Sequence, residues 1–359
     1  MTRTTISQPA SATAPRPRII GIDIARAVAV LGMLGAHILG DTEVTVSPDT
    51  WHGVFSGRST ILFFLLAAVV IALTADVRAA TSFDSAVARQ SSLVARGAVV
   101  FAIGLCLVAA PVSDILLTHG TLIAFTALAT RWRDRTLITI AVTGAILTLP
   151  LLQSVAFFAE AHDTLPPEAA GTLSAAISGA LALPVTLVGL IVGRAIRDNR
   201  VRPATLAVVG AGTAAVGYIA AGILSELAGR DENLRALLSA SAHSGSTLEL
   251  LAGTGVAAAV LGLALLVRGP GVRVFAPLAA LGAMPLTMYG THIGLLLVYQ
   301  ESTFVTMPWA AFALCAAILV ALSVAWLRFF RRGPLEAAVS AITRWLVSPP
   351  TLVAQPRRR

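Results

Sequence analysis

Arg26 and His37 stand eleven residues apart in GIDIARAVAVLGMLGAHILGD, residues 21–41, with an apolar run between them. At about 100° per residue that spacing is about three turns plus 20°, so both side chains lie on one face of a helix. At 1.5 Å per residue they are about 16 Å apart along the axis. Asp23, three residues before Arg26, can pair with it locally. One stripe thus carries a cation at one end and a base at the other. Ionisable groups in apolar helices are costly, face the bundle interior and mark functional paths. An imidazole takes and gives a proton near neutral pH and can serve as a general base. A substrate long enough to bridge the two residues would lie along the helix.

Other residues of this kind follow. WHGVFSGRSTILFF holds His52 and, at the start of the next apolar run, Arg58 beside Ser56 and Ser59. Arg58 can stabilise an oxyanion. It either pairs with Asp41, Asp49 or a substrate group, or it snorkels to the interface. GAMPLTMYGTHIGLL holds Pro285, which should kink its helix, and a polar cluster of Thr287, Tyr289, Thr291 and His292 at membrane depth. SAHSGSTLELLAGTG holds His243 and Ser244, an acceptor-binding cluster or the start of a capped helix. Ser246 followed by Glu249 is a capping-box pattern.

The elements that must position these groups follow from composition. Of 359 residues, 56% are hydrophobic and 12% charged, against about a quarter charged in soluble domains. Mean hydropathy is +0.83. The expected fold is all-α: a polytopic bundle of about ten transmembrane helices, near 19–40, 57–77, 92–111, 113–130, 136–157, 172–193, 204–225, 246–267, 275–298 and 308–328. A β-barrel alternation is absent. Residues 1–18 read as a disordered cytoplasmic tail, 19–332 as the membrane domain, 333–347 as an amphipathic interfacial helix and 348–359 as a basic cytoplasmic tail. In that helix Leu335, Val339, Ile342 and Leu346 recur at helical spacing. Gly189/Gly193 and Gly290/Gly294 fit close helix packing.

The 26 basic residues are all Arg. They cluster between alternate apolar runs, which is the positive-inside pattern and not a nucleic-acid patch. Arg58, Arg230 and Arg235 fall on the other side, with most carboxylates. Both termini are therefore expected in the cytoplasm, with an uncleaved first helix as signal anchor and a plasma-membrane location. On this topology His37, His52, His119, His162, His243 and His292 all lie in or beyond the outer leaflet. Cys106 and Cys315 read as small hydrophobes. There is no phosphate-binding loop, zinc motif or nucleophile elbow.

RIIGIDIARAVAVLGMLGAHI resembles the first helix of bacterial relatives of heparan-α-glucosaminide N-acetyltransferase. WHGVFSGRSTILFFLLA, GLIVGR, AHSGSTLELLAGTGVAAAVLGLALL, PLAALGAMPLTMYGTHI and RRGPLEAAV resemble the same group in order. The Arg26–His37 spacing is also similar to the Arg-x10-His pattern of the acyltransferase-3 family. The resemblance implies a ten- or eleven-helix acetyl-CoA-dependent acyltransferase. It would move an acyl group from cytoplasmic acyl-CoA to an extracytoplasmic acceptor, often a sugar or glycan. It points to His37 through one family and His52 through the other, while His119 stands where relatives are expected to have Tyr. Arg26 and Asp23, with Arg96 or Arg194, would hold the phosphate end. His37 would act as base, with Arg58, Tyr289 or His292 as oxyanion donors. No metal is expected. The partners expected are acyl-CoA, the acceptor, the lipid bilayer and no nucleic acid, with a homo-oligomer left open. The competing class is a multi-span transporter for a small solute.

Overall fold

Long apolar runs satisfy their backbone in hydrocarbon by forming helix, because no water is there to pair an open edge. The computed structural model describes residues 18–40, 42, 47–74, 83–107, 115–161, 167–301 and 306–347, and all ten apolar runs form helices within them. The helices are α1 (Ile20–Leu39), α2 (Arg58–Thr74), α3 (Phe83–Leu107), α4 (Leu116–Ala129), α5 (Asp134–Thr143), α6 (Leu149–Ala161), α7 (Pro167–Arg197) and α8 (Pro203–Leu227). They continue with α9 (Glu232–Leu237), α10 (Thr247–Leu265), α11 (Pro270–Val274), α12 (Ala276–Gly282), α13 (Pro285–Gln300), α14 (Pro308–Phe329) and α15 (Pro334–Val347). A 3₁₀ segment, Pro48–Phe55, leads into α2, and a π turn, Gly144–Thr148, joins α5 to α6. The tails at 1–17 and 348–359, with Asp41 and His162, lie outside the described residues.

Among the described residues, eight helical stretches are long and apolar enough to cross a bilayer, and α12 with α13 makes a ninth. This is a polytopic membrane protein. The expected tenth span is α4, whose 14 residues reach only about 21 Å against about 30 Å of hydrocarbon. Pro285 does more than kink its helix. The chain breaks at Ala283–Met284, Pro285 becomes the first residue of α13, and the two halves meet at 88°. Proline lacks the N–H that a continuous helix would need at that point.

Inside lipid there is little hydrophobic force between helices, so close packing of small residues must hold them. α1 is the central element, touching α2, α10, α12, α13 and α14, with Ala25, Ala27, Ala29, Val30 and Leu34 fully buried. α12 lies so close to it that a Cβ on Gly282 would sit 1.7 Å from the Asp23 carbonyl oxygen. Gly189 and Gly193 bring α7 against α2 at Leu65 and Val69. Gly290 and Gly294 do not cross a helix: a Cβ at the first would meet only the Leu335 side chain, and at the second nothing. Gly97 of α3 and Gly120 of α4 also meet, a Cβ on the former falling 2.6 Å from the latter's carbonyl oxygen. That contact draws their chain neighbours Arg96 and His119 together.

α15 packs on α3 and α13 through Val339 and Thr343. The expected apolar stripe divides: Val339 is buried, whereas Ile342 and Leu346, with Trp345, are exposed. Glu336 fixes the dock. Its Oε1 accepts from the backbone N–H of Leu286 at 2.8 Å and of Thr287 at 3.1 Å, and Oε2 accepts from the Thr287 hydroxyl. The break exposes the first N–H groups of α13, and a carboxylate is the natural partner for a helix N-terminus.

Candidate functional site

α1 and α13 bring His37 and His292 together, with ring centroids 5.6 Å apart. His37 is exposed at the end of α1, while His292 is 0% exposed inside α13. Each ring is held by its own helix. The His37 Nδ1 lies 2.8 Å from the Met33 carbonyl oxygen, and the His292 Nδ1 lies 2.6 Å from that of Tyr289. A carbonyl oxygen only accepts, so both Nδ1 atoms carry hydrogen, and in the neutral rings both Nε2 atoms are the basic nitrogens. The Nε2 of His292 is buried and has no hydrogen-bond partner among the described residues. The site is therefore a pair of imidazoles of fixed tautomer, one open and one enclosed.

The other end of α1 is polar in a different way. Asp23, 5% exposed, accepts from Arg18 and lies 3.5 Å from the Arg26 guanidinium. Two cavities meet there. The wider, about 750 Å³, is lined by Arg18, Asp23, Arg26 and Arg197 among apolar residues of α1, α2 and α7. The narrower, about 170 Å³, is lined by Arg26, Arg96, His119 and Glu336 with apolar residues of α2, α3 and α4. Arg26, Val70 and Thr74 border both. Arg197 also donates to Asp198 at 2.8 Å, and that hydrogen bond holds the Asp198 carboxyl below its usual range.

A line of rings connects the two ends. His119 lies tilted against Phe63 at 4.6 Å, and Phe63 stacks on Tyr289 at 6.2 Å. Tyr289 meets His292 edge-on at 4.8 Å, and His292 meets His37. The Tyr289 hydroxyl accepts from the Ile115 N–H at 3.3 Å.

Five sequence candidates stand elsewhere. Arg58 is a staple: it donates to the Tyr218 hydroxyl at 2.8 Å and to the carbonyls of Ser56 and Ala240, tying α2 to α8 and to the loop before α10. Arg194, 2% exposed, is spent on Asp134 and on the carbonyls of Trp132, Ala129 and Thr130, and lines neither cavity. Its donors close the turn between α4 and α5, so no face of it is turned to a phosphate. His52 pairs with Thr42 at 2.8 Å and packs edge-on against Trp309, in a ring cluster separate from the His37–His292 contact. His243 and Ser244 belong to a loop built around Glu249. That carboxylate, 2% exposed, accepts from the N–H groups of His243 and Gly245, each at 2.7 Å, and from the Ser244 hydroxyl. Ser246 caps α10 by accepting from the Glu249 N–H at 2.9 Å. His243 has a positive φ of 60°, an unusual conformation for a side-chain-bearing residue, and its imidazole is exposed.

Four ionisable residues of the site, Arg18, Arg197, His119 and Glu336, stand outside the sequence candidates. His119, which stands where the resemblance expects Tyr, is buried beside the narrow cavity. Glu336 gave one available signal: it is the lone carboxylate after Glu301, among arginines.

Residues 193–346 match the model of a family described as protein of unknown function, DUF418. The match takes in Glu249, Tyr289, His292 and Glu336; Arg26, His37, Arg96 and His119 precede it. No curated protein matches the sequence.

Proposed function

We propose that this protein is a transmembrane acyltransferase that moves a short acyl group, acetyl foremost, from cytoplasmic acyl-CoA to an extracytoplasmic acceptor such as a sugar or glycan. The observation that carries this is the arrangement along α1: an arginine-lined pair of cavities at one end and the His37–His292 pair at the other. In this reading the nucleotide occupies the wider cavity, and Arg18, Arg26 and Arg197 meet its phosphates. The thin arm follows the narrower cavity and the ring line toward the histidines. The Nε2 of His37 takes the proton of the acceptor hydroxyl or amine as that group attacks the thioester carbonyl. The C–S bond breaks, and the departing thiolate takes up a proton. His292, with a lone pair on Nε2, accepts a hydrogen bond from the protonated His37 and stabilises the imidazolium.

A transporter is the second reading, favoured by the 88° break at α12–α13, since broken helices build solute sites in many carriers. Glu336 weighs against it, because the freed N–H groups of α13 are already occupied. Thermal unfolding of the detergent-purified protein with acetyl-CoA or free CoA separates the two. An acyltransferase is stabilised by about 2.7 kcal/mol at a hundredfold excess over Kd. A melting curve unmoved by millimolar acetyl-CoA and CoA favours the transporter.

A further inference from the structure

α13 carries His292 and Tyr289, yet no glycine crossing locks it against a neighbour. Other close contacts of the bundle are locked in that way, as at Gly282 against α1 and at Gly189 and Gly193 against α2. On α13 a Cβ at Gly290 would meet only the Leu335 side chain, at 3.2 Å, and one at Gly294 would meet nothing within 4 Å. Nor does α12 continue into it, because the chain breaks at Ala283–Met284 and turns by 88°. Packing of small residues holds helices together in lipid, so a helix without it depends on what ties its end.

α15 supplies the tie. The Glu336 carboxylate takes the first N–H groups of α13 on Oε1, Leu286 at 2.8 Å and Thr287 at 3.1 Å, and the Thr287 hydroxyl on Oε2. The Thr287 oxygen in turn accepts from the N–H of Leu335, in the first turn of α15, at 3.1 Å. Each helix thus caps the start of the other. The joint has no spare room: a Cβ on Gly333 would fall 2.5 Å from the Thr287 hydroxyl oxygen and 2.6 Å from the Met284 Cβ. α15 also packs on α3, so the joint ties α13 to a helix beyond the break. His292 lies five residues past Thr287, about 7.5 Å along the axis. A tilt of about 10° at the joint carries the imidazole about 1 Å, and a misplacement of about 1 Å can cost about 10²-fold in rate. We propose that Thr287 and Glu336 are positioning residues: their reciprocal cap holds α13 so that His292 stays against His37. What the histidine pair does rests on the acyltransferase reading; where α13 stands does not.

The test measures position and turnover separately on the full chain. Spin labels on Val298→Cys and Leu227→Cys, exposed sites near the ends of α13 and α8, report the distance between those helices once Cys106 and Cys315 are replaced by Ala. Thr287→Val leaves the two N–H bonds to Glu336 and removes the hydroxyl from both of its own; Thr287→Ser keeps it. Thr287→Val should broaden or shift the distance distribution, and Thr287→Ser should restore it. Glu336→Ala should disturb it more; if that variant fails to fold, the Thr287 pair carries the test. In acetyl transfer, Thr287→Val should lose at least about tenfold in kcat, with KM for acetyl-CoA unchanged and Thr287→Ser close to the parent. A distance distribution in Thr287→Val identical to the parent's, or an unchanged kcat, overturns the positioning role and leaves the acyltransferase reading standing. A parent with no transfer overturns that reading, and the distances then decide by themselves whether the cap holds α13.

Discussion

Arg194 and Arg26 are both arginines on apolar helices of one bundle, and their surroundings are opposite. Arg194 spends its donors on Asp134 and three carbonyls. Arg26 keeps one long contact, 3.5 Å to Asp23, and borders two cavities. The same division runs through the other polar groups. Glu249 and Glu336 have their acceptors filled by N–H and hydroxyl donors, whereas His292 and His119 each keep a buried nitrogen without a partner among the described residues. A polar group in a membrane helix is therefore not functional by position alone. What separates a staple from a site is whether its hydrogen-bonding capacity is already used.

Substitutions on the two sides of this division should fail differently. The largest effect is expected at Arg194→Ala, which takes from Asp134 its nearer cation, Arg200 staying at 3.5 Å, and strips three carbonyls of their donor. Removing one partner of a buried pair costs about 3–5 kcal/mol, and the partial exposure of Asp134 moves this toward the lower value. The melting temperature should fall steeply, with ligand affinity per folded molecule unchanged. Glu249→Ala comes next, since it strands the N–H groups of His243 and Gly245 at about 1–3 kcal/mol each. A calorimetric scan should find it destabilised, and a melting curve like the parent's would erase the distinction drawn here. Arg26→Gln should unfold as the parent does and bind CoA about tenfold more weakly, about 1.4 kcal/mol; reversed behaviour of Arg26 and Arg194 would invert the comparison.

The smallest effect is expected at Asp198→Asn. The Asp198 carboxyl is held below its usual range by the Arg197 hydrogen bond. Its contribution is present above the unfolded-state value and is lost as pH falls through the folded value. The pair stands at the surface and is screened by solvent and salt, so the melting temperature at neutral pH should not move measurably.

Much of the fold was legible because apolar length dictates helix. The spacing of Arg26 and His37 on one helix was legible too, because both lie in one segment. The partners were not. His292 reaches His37 only because Pro285 breaks the chain and re-aims α13 by 88°, and sequence tells of a kink without its angle. Arg58 carries an exception to the charge pattern, but Tyr218 and Ala240, its actual partners, are 160 and 182 residues away. The 14 residues of α4 have the hydropathy of a full span, because hydropathy does not weigh length against a neighbouring turn. A lone carboxylate on an amphipathic helix usually faces water; Glu336 instead caps a helix end that only the break creates.

The central claim is that α1 joins an acyl-CoA site to a catalytic histidine pair. The most direct test is transfer of labelled acetyl from acetyl-CoA to acceptor material in native membranes carrying either the parent or a folded, inserted His37→Ala variant. General-base catalysis contributes about 10²–10⁴-fold, so His37→Ala should retain CoA-dependent stabilisation and lose transfer by at least about a hundredfold. Labelling by His37→Ala at the parent's rate would contradict the account.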